Sequence, residues 1–370
     1  MKNIVILGGS YAGISTAHRL LKHVGKTAPF KITLVSPNTH FYWSMAAARG
    51  LVPGQISDEQ LFRPIAEGFE QYPANQFKFV LGSAESVNVE AKHVGISGST
   101  GASTLDYDFL IIATGSRAKG DAPFKGVGST EDTKAARNGF HVRVEKARTI
   151  VVAGGGVTGC ETAGELAYEY GREKEIIFIA GHPTLLSGTP TTFSTYVQKS
   201  LQTLKVNLKL STQVKNATQL PDGSYELLLS TGEKLTTDTY IPTFGLTPNS
   251  SYLPTEFLDP KGYVVVDSYL KVLGVKDVWA IGDVSNCEWS QLIPANKQSA
   301  HLAKSIMLLL NNKTPLPYKT ISHRITGMQI GRNKGIGHFG SWIIPSFVIV
   351  YVRRMLFMEK MGAWLDGSEF

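Results

Sequence analysis

"IVILGGSYAGIS", residues 4–15, runs an apolar strand into a glycine-rich turn and on into the start of a helix. A turn that cradles a dinucleotide pyrophosphate has the pattern G-x-G-x-x-G. Its first glycine permits the bend, the second lets the phosphates come close, and the third lets the helix pack on the strand. Here Gly8 and Gly13 hold the outer places, Gly9, Tyr11 and Ala12 lie between, and Ser10 takes the middle place. One imperfect turn is a weak signal. A second stretch strengthens it: "TIVVAGGGVTGCETAGE", residues 149–165, repeats strand, turn and small-residue helix with Gly154, Gly156 and Gly159 all present.

A further pair of segments repeats in the same order. "LDYDFLIIATG" ends at Gly115 and "LTTDTYIPTFG" at Gly245, each with an aspartate three places after its leucine and a β-rich run before the last glycine. The chain therefore reads as two copies of one design, each opening on a glycine turn and closing on a strand and a sharp turn. Two dinucleotide sites fit this pattern, and so do two halves of which one is purely structural. Around these landmarks, "KITLVS" (31–36) and "IIFIA" (176–180) read as second strands and residues 77–103 as a β-meander. "YELLLSTGEKL" (225–235) reads as a hairpin around Thr231-Gly232, and Pro294 to Asn311 as a helix. The expected fold class is α/β, with two Rossmann-like dinucleotide-binding domains and a C-terminal α+β segment. Residues 1–118 and 251–311 are assigned to the first domain, 119–250 to the second, and 312–370 to a C-terminal cap.

Composition narrows the chemistry. The 370 residues, 42% hydrophobic and 18% charged, describe a globular chain long enough for more than one core. A net charge of +7 leaves nucleic acid, an anionic membrane or an acidic cofactor as partners. Cys160 and Cys287 are the two cysteines, far apart, so neither a disulfide framework nor a CxxC redox pair is available. The nine histidines have no metal-ligand spacing, so no metal is expected, and no G-x-S-x-G elbow appears. No cationic, apolar leader precedes the first strand, which gives the expectation of a cytosolic or cytosol-facing protein. The N-x-[ST] triplets at Asn216, Asn249 and Asn312 then read as chance, and the closing Gly367-Ser368-Glu369-Phe370 as a cloning remnant.

"DVWAIGDVSN", residues 277–286, is a buried strand ending in Gly282-Asp283, where a carboxylate can bind the hydroxyls of a sugar alcohol. With the two glycine turns and the turn Ala113-Thr114-Gly115, the order resembles the two-dinucleotide-binding-domain flavoproteins. More closely, it is similar to the apoptosis-inducing-factor-2 (ferroptosis suppressor protein) group and their fungal relatives, cousins of the type II NADH dehydrogenases. The resemblance implies a glutathione-reductase-like arrangement without the redox disulfide. FAD would be held by Gly8 to Gly13, by Ala113 to Gly115 and by Asp283, and NAD(P)H by the turn from Gly154 to Gly159. It also implies Arg49 of "FYWSMAAARG" (41–50) near FAD, a match at "GRNKGIG" (331–337), and Glu161 near the nicotinamide. By its position alone, Glu161 is equally a first-turn glutamate favoured by the helix dipole.

Two departures from the pattern carry information. The acid that takes the adenosine ribose hydroxyls at the end of the second strand is replaced by Ser36 in the first unit. In the second unit Ala180, Gly181 and His182 stand there. An acid would repel the 2′-phosphate of NADPH, so NADPH is expected to be accepted alongside NADH. With no cysteine pair to receive electrons, the flavin is expected to pass them from NAD(P)H to an external acceptor. The positive end of the helix near Pro294, with Lys297, would face the negative edge of the reduced flavin.

The acceptor is read from the C-terminal stretch. Its apolar run, Trp342 to Val352, falls short of the roughly 20 residues of a spanning helix and is followed by Arg353 and Arg354. On a helix, Phe347, Tyr351, Met355, Met358 and Leu365 would line one side, with Arg353 and Lys360 opposite. From Lys313 onward eight basic residues stand against three acidic ones. Residues 342–365 then suggest a segment lying in a membrane interface, by resemblance that of the mitochondrial outer membrane or a lipid droplet, with a quinone as acceptor. A cap packed on the flavin domain, or a dimer face, fits the same residues. A DNA-binding or death-signalling flavoprotein and a soluble reductase of a ferredoxin-like protein are the rival functions.

Overall fold

The strand Lys2–Leu7 is buried on both faces. Ile4 and Ile6 share a core with Ile14, Ala17 and Leu20 of the helix Tyr11–Leu21, while Val5 and Leu7 share another with Val94, Ile96 and Val278. A strand covered on both sides must be apolar throughout, hence the unbroken run in the sequence. The computed structural model describes every residue except 24, 26, 27, 99, 100 and 121. In it this strand is central to a five-stranded parallel sheet, ordered Val278–Ala280, Phe109–Ile112, Lys2–Leu7, Phe30–Ser36, Phe77–Leu81. The second unit repeats the plan, with Thr149–Ala153 between Glu175–Ile179 and Thr239–Pro242, and Asn207–Lys209 at the edge.

Each unit also carries an antiparallel three-stranded meander, Ser83–Asn88 to Gly101–Asp106 in the first and Val214–Gln219 to Lys234–Thr237 in the second. The meander expected from residue 77 therefore starts later. Phe77–Leu81 belongs instead to the parallel sheet, because it completes the edge beside Phe30–Ser36. After the turns at Gly115 (φ +68) and Gly245 (φ +78) the two repeats meet, Ser116–Ala118 pairing antiparallel with Leu246–Pro248. Asn249 locks this junction: its amide donates to the Thr114 carbonyl at 2.9 Å, and Thr114 Oγ1 donates to its carbonyl at 2.6 Å. The repeated aspartates have matching roles. Asp108 accepts the Asn3 N–H at 2.7 Å, and Asp238 accepts those of Arg148 and Thr149, both at 2.8 Å. Each ties the closing strand of its unit to the start of the opening strand.

The glycine turns are two versions of one contact. A Cβ on Gly13 would lie 1.9 Å from the Gly8 carbonyl oxygen, and one on Gly159 would lie 2.0 Å from that of Gly154. The middle place is different. A Cβ on Gly156 meets nothing within 4 Å, and Ser10 has the ordinary extended φ of −127°. Serine therefore costs this fold nothing at the middle place.

The C-terminal region is a hairpin, Ile325–Ile330 with Lys334–Phe339, extended by Trp342–Ile344. It packs on the helix Val157–Tyr170, where a Cβ on Gly164 would lie 2.9 Å from Ile330. The glycines of "GRNKGIG" make room for Ile349: a Cβ would lie 2.8 Å from it at Gly335 and 2.6 Å at Gly337. Residues 342–365 are a strand followed by helices rather than one helix. The helix Ser346–Arg353 starts after Pro345 and the chain then turns through left-handed Leu356 (φ +50) and Phe357 (φ +58) into a short helix, Met361–Leu365. Met361, Trp364 and Leu365 are buried in the core of the first unit. The last residues pack on the first unit. Phe370 lies 4.1 Å under the Arg19 guanidinium and edge-on to Trp364, and Lys22 donates to the Gly367 carbonyl at 2.7 Å.

The contact between the third and first glycines predicts an asymmetry. Gly13→Ala should destabilise by about 1–3 kcal/mol or more, as overpacking against fixed backbone does, while Ser10→Gly should cost less than about 1 kcal/mol. Urea unfolding of the two variants checks this. Equal losses would mean that the third place is not the tight one.

A second expectation concerns acid. The Thr149 N–H above all, then that of Arg148, holds the Asp238 carboxyl below its usual range against the upward push of burial. The stability this gives is present at neutral pH and lost as the pH falls through the native carboxyl pKa. Asp238→Asn should therefore flatten the acid limb of the stability profile below about pH 4 and leave its alkaline side unchanged.

Candidate active site

A cleft of about 1400 Å³ lies between the two units and the C-terminal region. Gly8, Gly9, Ser10, Tyr11 and Ala12 line it, whereas Gly13, in the first turn of the helix, lies against the Gly8 carbonyl outside the lining. Ser36 stands at its wall almost fully buried, its hydroxyl accepting the Asn38 N–H at 3.1 Å. Ala113, Thr114 and Gly115 line it as well, and Asp283 enters just after left-handed Gly282 (φ +72). The Asp283 carboxylate accepts Ser116 Oγ at 3.1 Å and is ion-paired with Lys125, a residue that no motif singled out. Tyr11 is packed edge-on against Phe41 and Trp364, and burial pushes its phenol well above the usual range.

The helix Leu292–Leu310 presents its first turn to the cleft through Leu292 and Ile293, with no acidic residue there to neutralise its dipole. Lys297 also lines the cleft. Its ammonium donates to the Lys319 carbonyl at 2.6 Å and lies over the Tyr318 ring. On the side of the second unit, Val157, Thr158 and Glu161 face the cleft, with Thr243 and Phe244. Gly154, Gly156 and Gly159 stand outside its lining. Ala180 is buried next to Gly155, and His182 is exposed, its carbonyl accepting the Ser211 N–H at 3.0 Å.

Arg49 is not in the cleft. Its guanidinium is buried against Glu165, with Nε at 3.0 Å and Nη2 at 2.8 Å from one carboxylate oxygen, and Nη2 also donates to Gln329 at 3.2 Å. Glu165 lies one turn beyond Glu161 on the helix Val157–Tyr170. Glu161 has its own cation: Arg353 Nη2 lies 2.9 Å from Glu161 Oε1, and the Arg353 guanidinium also donates to the Gly327 carbonyl. Arg353 therefore faces inward, not towards a lipid surface, and Lys360 likewise pairs with Glu369 at 2.9 Å. Burial pushes the Glu161 carboxyl above the usual range and the like charge of Glu165 adds to it, against the pull of Arg353. A pocket large enough for about one water is lined by Glu161, Glu165, Arg49 and Gln329. The cleft thus reaches a carboxyl that burial makes harder to ionise.

These features suit FAD. Open glycine backbone and a helix N-terminus line the cleft, Asp283 offers it a carboxylate that would accept from hydroxyls, and a Cβ on Gly282 would crowd Ala12 at 3.1 Å. The family model described as pyridine nucleotide-disulphide oxidoreductase matches residues 2–304. The chain belongs to this family. It is a NAD(P)H-dependent flavoprotein oxidoreductase, with FAD and NAD(P)H as cofactors. It is 50% identical to oxidoreductase ptaL of Pestalotiopsis fici over all of both chains. It is 26% identical to ferroptosis suppressor protein 1 of Mus musculus over 94% of this chain and 91% of that one. Among solved structures it is similar in fold to the sulfide:quinone oxidoreductase of Aquifex aeolicus (TM-score 0.81, 17% identity, 99% of this chain and 92% of that one).

The family's disulphide chemistry is missing from this member. Cys160 is buried, with its thiol pushed far up by desolvation, and Cys287 is a separate, half-buried free thiol. Arg49 and Glu165 give the sharpest expectation for the site. Arg49→Met strands a buried carboxylate and should cost about 3–5 kcal/mol, whereas adding Glu165→Leu should recover much of it, since a buried pair is replaced by apolar packing. A thermodynamic cycle by urea unfolding checks this. Additive losses would mean that the two side chains do not depend on each other.

Proposed function

We propose that this protein carries electrons from NAD(P)H through FAD to a quinone-type acceptor, working at a membrane surface. FAD, when bound, supplies the chemistry by accepting hydride from NAD(P)H and giving up electrons to the acceptor. The observation that carries the reading is the end of the cleft. Ile344, Ile349, Val352, Phe357 and Trp364 give it an apolar wall, and Glu161 with Arg353 is the charged pair within it. A flat, apolar acceptor that takes up protons on reduction suits such a wall. Glu161 is the carboxyl placed to hold a proton there, Arg353 positions it, and Asp283 is assigned to the ribityl hydroxyls. Lys297 and the first turn of the helix Leu292–Leu310 lend positive potential to the cleft.

The membrane part of the reading rests on exposed apolar side chains. Trp342 is 79% exposed, Phe347 75% and Tyr351 67%, close in sequence to exposed Phe339 and Met355. Arg354 lies over the Tyr351 ring at 4.9 Å, so a cation and an aromatic meet at the surface as they do in interfacial segments. Among the described residues no helix is long and apolar enough to cross a membrane.

Two measurements test this. Asp283→Ala should lose most of its bound flavin on purification, since a hydrogen bond to a charged group is worth about 1.5–3 kcal/mol. Full FAD occupancy would remove Asp283 from the site. Trp342→Ser with Phe347→Ser should reduce co-sedimentation with anionic vesicles and turnover of a long-tailed quinone held in them. Oxidation of NADPH by a water-soluble quinone should stay within about two-fold of wild type. Equal loss with both quinones would instead make the patch a structural cap, and wild type that never sediments would end the membrane reading.

A further inference from the structure

The second unit lacks both the acid that selects NADH and an arginine that would select NADPH at residues 180–184, so its discrimination must come from elsewhere. The segment after Asn207–Lys209 runs beside these residues and is fixed to them. Ala180 N–H donates to the Lys209 carbonyl at 2.9 Å, Thr212 N–H to Ala180 at 3.0 Å, and Ser211 N–H to His182 at 3.0 Å. The segment ends at Gln213, whose main chain is held on both sides by Ser230, through Gln213 N–H to Ser230 Oγ at 3.0 Å and Ser230 N–H to the Gln213 carbonyl at 2.8 Å. The Gln213 side chain lies against Gly181: a Cβ there would come within 2.9 Å of its Cγ and 3.1 Å of its Nε2.

The next strand, Val214–Gln219, is bulged between Val214 and Asn216, which leaves Lys215 as the extra residue outside the ladder. A bulge re-aims the side chain of its extra residue, and the Lys215 ammonium donates to Gln213 Oε1 at 3.1 Å. The other lysines near this sheet are neutralised, Lys209 by Glu233 at 3.1 Å and Lys234 by Glu226 at 3.0 Å. Among the described residues no carboxylate pairs with Lys215.

We propose that Lys215, held over Gly181 by Gln213, binds the 2′-phosphate of NADPH and makes it the preferred donor over NADH. The proposal rests on the second unit being the NAD(P)H site. In a Rossmann unit the adenosine ribose lies beyond the end of the second strand, here at residues 180–182. A 2′-phosphate there carries up to two negative charges and suits a lysine acting as a point charge, with an amide and the exposed His182 as neighbours.

The test compares wild type, Lys215→Ala and Gln213→Ala, measuring kcat and KM for NADPH and NADH with one soluble quinone, and binding of 2′,5′-ADP against 5′-AMP. Lys215→Ala should raise KM for NADPH by roughly ten-fold or more at unchanged kcat, the mark of lost uniform binding. NADH kinetics should stay within about two-fold, and the preference for 2′,5′-ADP over 5′-AMP should collapse. Gln213→Ala should shift the same quantities in the same direction by less. A NADPH/NADH ratio unmoved by Lys215→Ala, or equal losses with both donors, would overturn the proposal while leaving the NAD(P)H site in place. Wild type that binds neither nucleotide would overturn the site itself and the proposal with it.

Discussion

Two carboxylates one turn apart on a buried helix face, Glu161 and Glu165, oblige this protein to bring cations to them. It does so from opposite directions. Arg49 comes from the first unit to Glu165, and Arg353 comes from the C-terminal region to Glu161. Each pair is nearly dry, so removing one partner leaves a charge that burial makes expensive. The helix Val157–Tyr170 therefore fixes first unit, second unit and C-terminal region relative to one another. The cleft is the space that remains between them.

The two halves reach this arrangement by repeating one set of devices. In each, an apolar strand is buried on both faces, a third glycine lies against the carbonyl of the first, and an aspartate ties the closing strand to the opening one. The halves then diverge where chemistry demands it. The first turn faces the cleft through Ser10 to Ala12, whereas the second unit reaches it through Val157, Thr158 and Glu161. The two cysteines are separate, so this chain has no dithiol to pass electrons to.

Much of this was legible in the sequence because its causes are local. Glycine turns, the aspartate after Gly282 and the strand-and-turn repeats are short patterns whose chemistry does not need distant partners. Arg49 was read as a residue near FAD, and its pairing with Glu165 was not legible because Glu165 lies far away in the chain. Arg353 was misread for the same reason: next to Val352 it looks like a flanking cation, and only packing turns it inward. The break after Arg353 carried no glycine or proline to announce it, because Leu356 and Phe357 take left-handed backbone themselves. Lys215 was silent, as a bulge leaves no reliable mark in sequence.

The central claim is that the cleft passes two electrons from NAD(P)H to a quinone without a thiol relay. It is tested most directly by a titration without oxygen. One equivalent of NADPH should bleach the visible absorbance of the purified protein's flavin. One equivalent of a water-soluble quinone should then restore it fully, with one hydroquinone formed per NADPH consumed. A flavin that NADPH leaves oxidised, or that stays reduced when the quinone is added, would contradict the account.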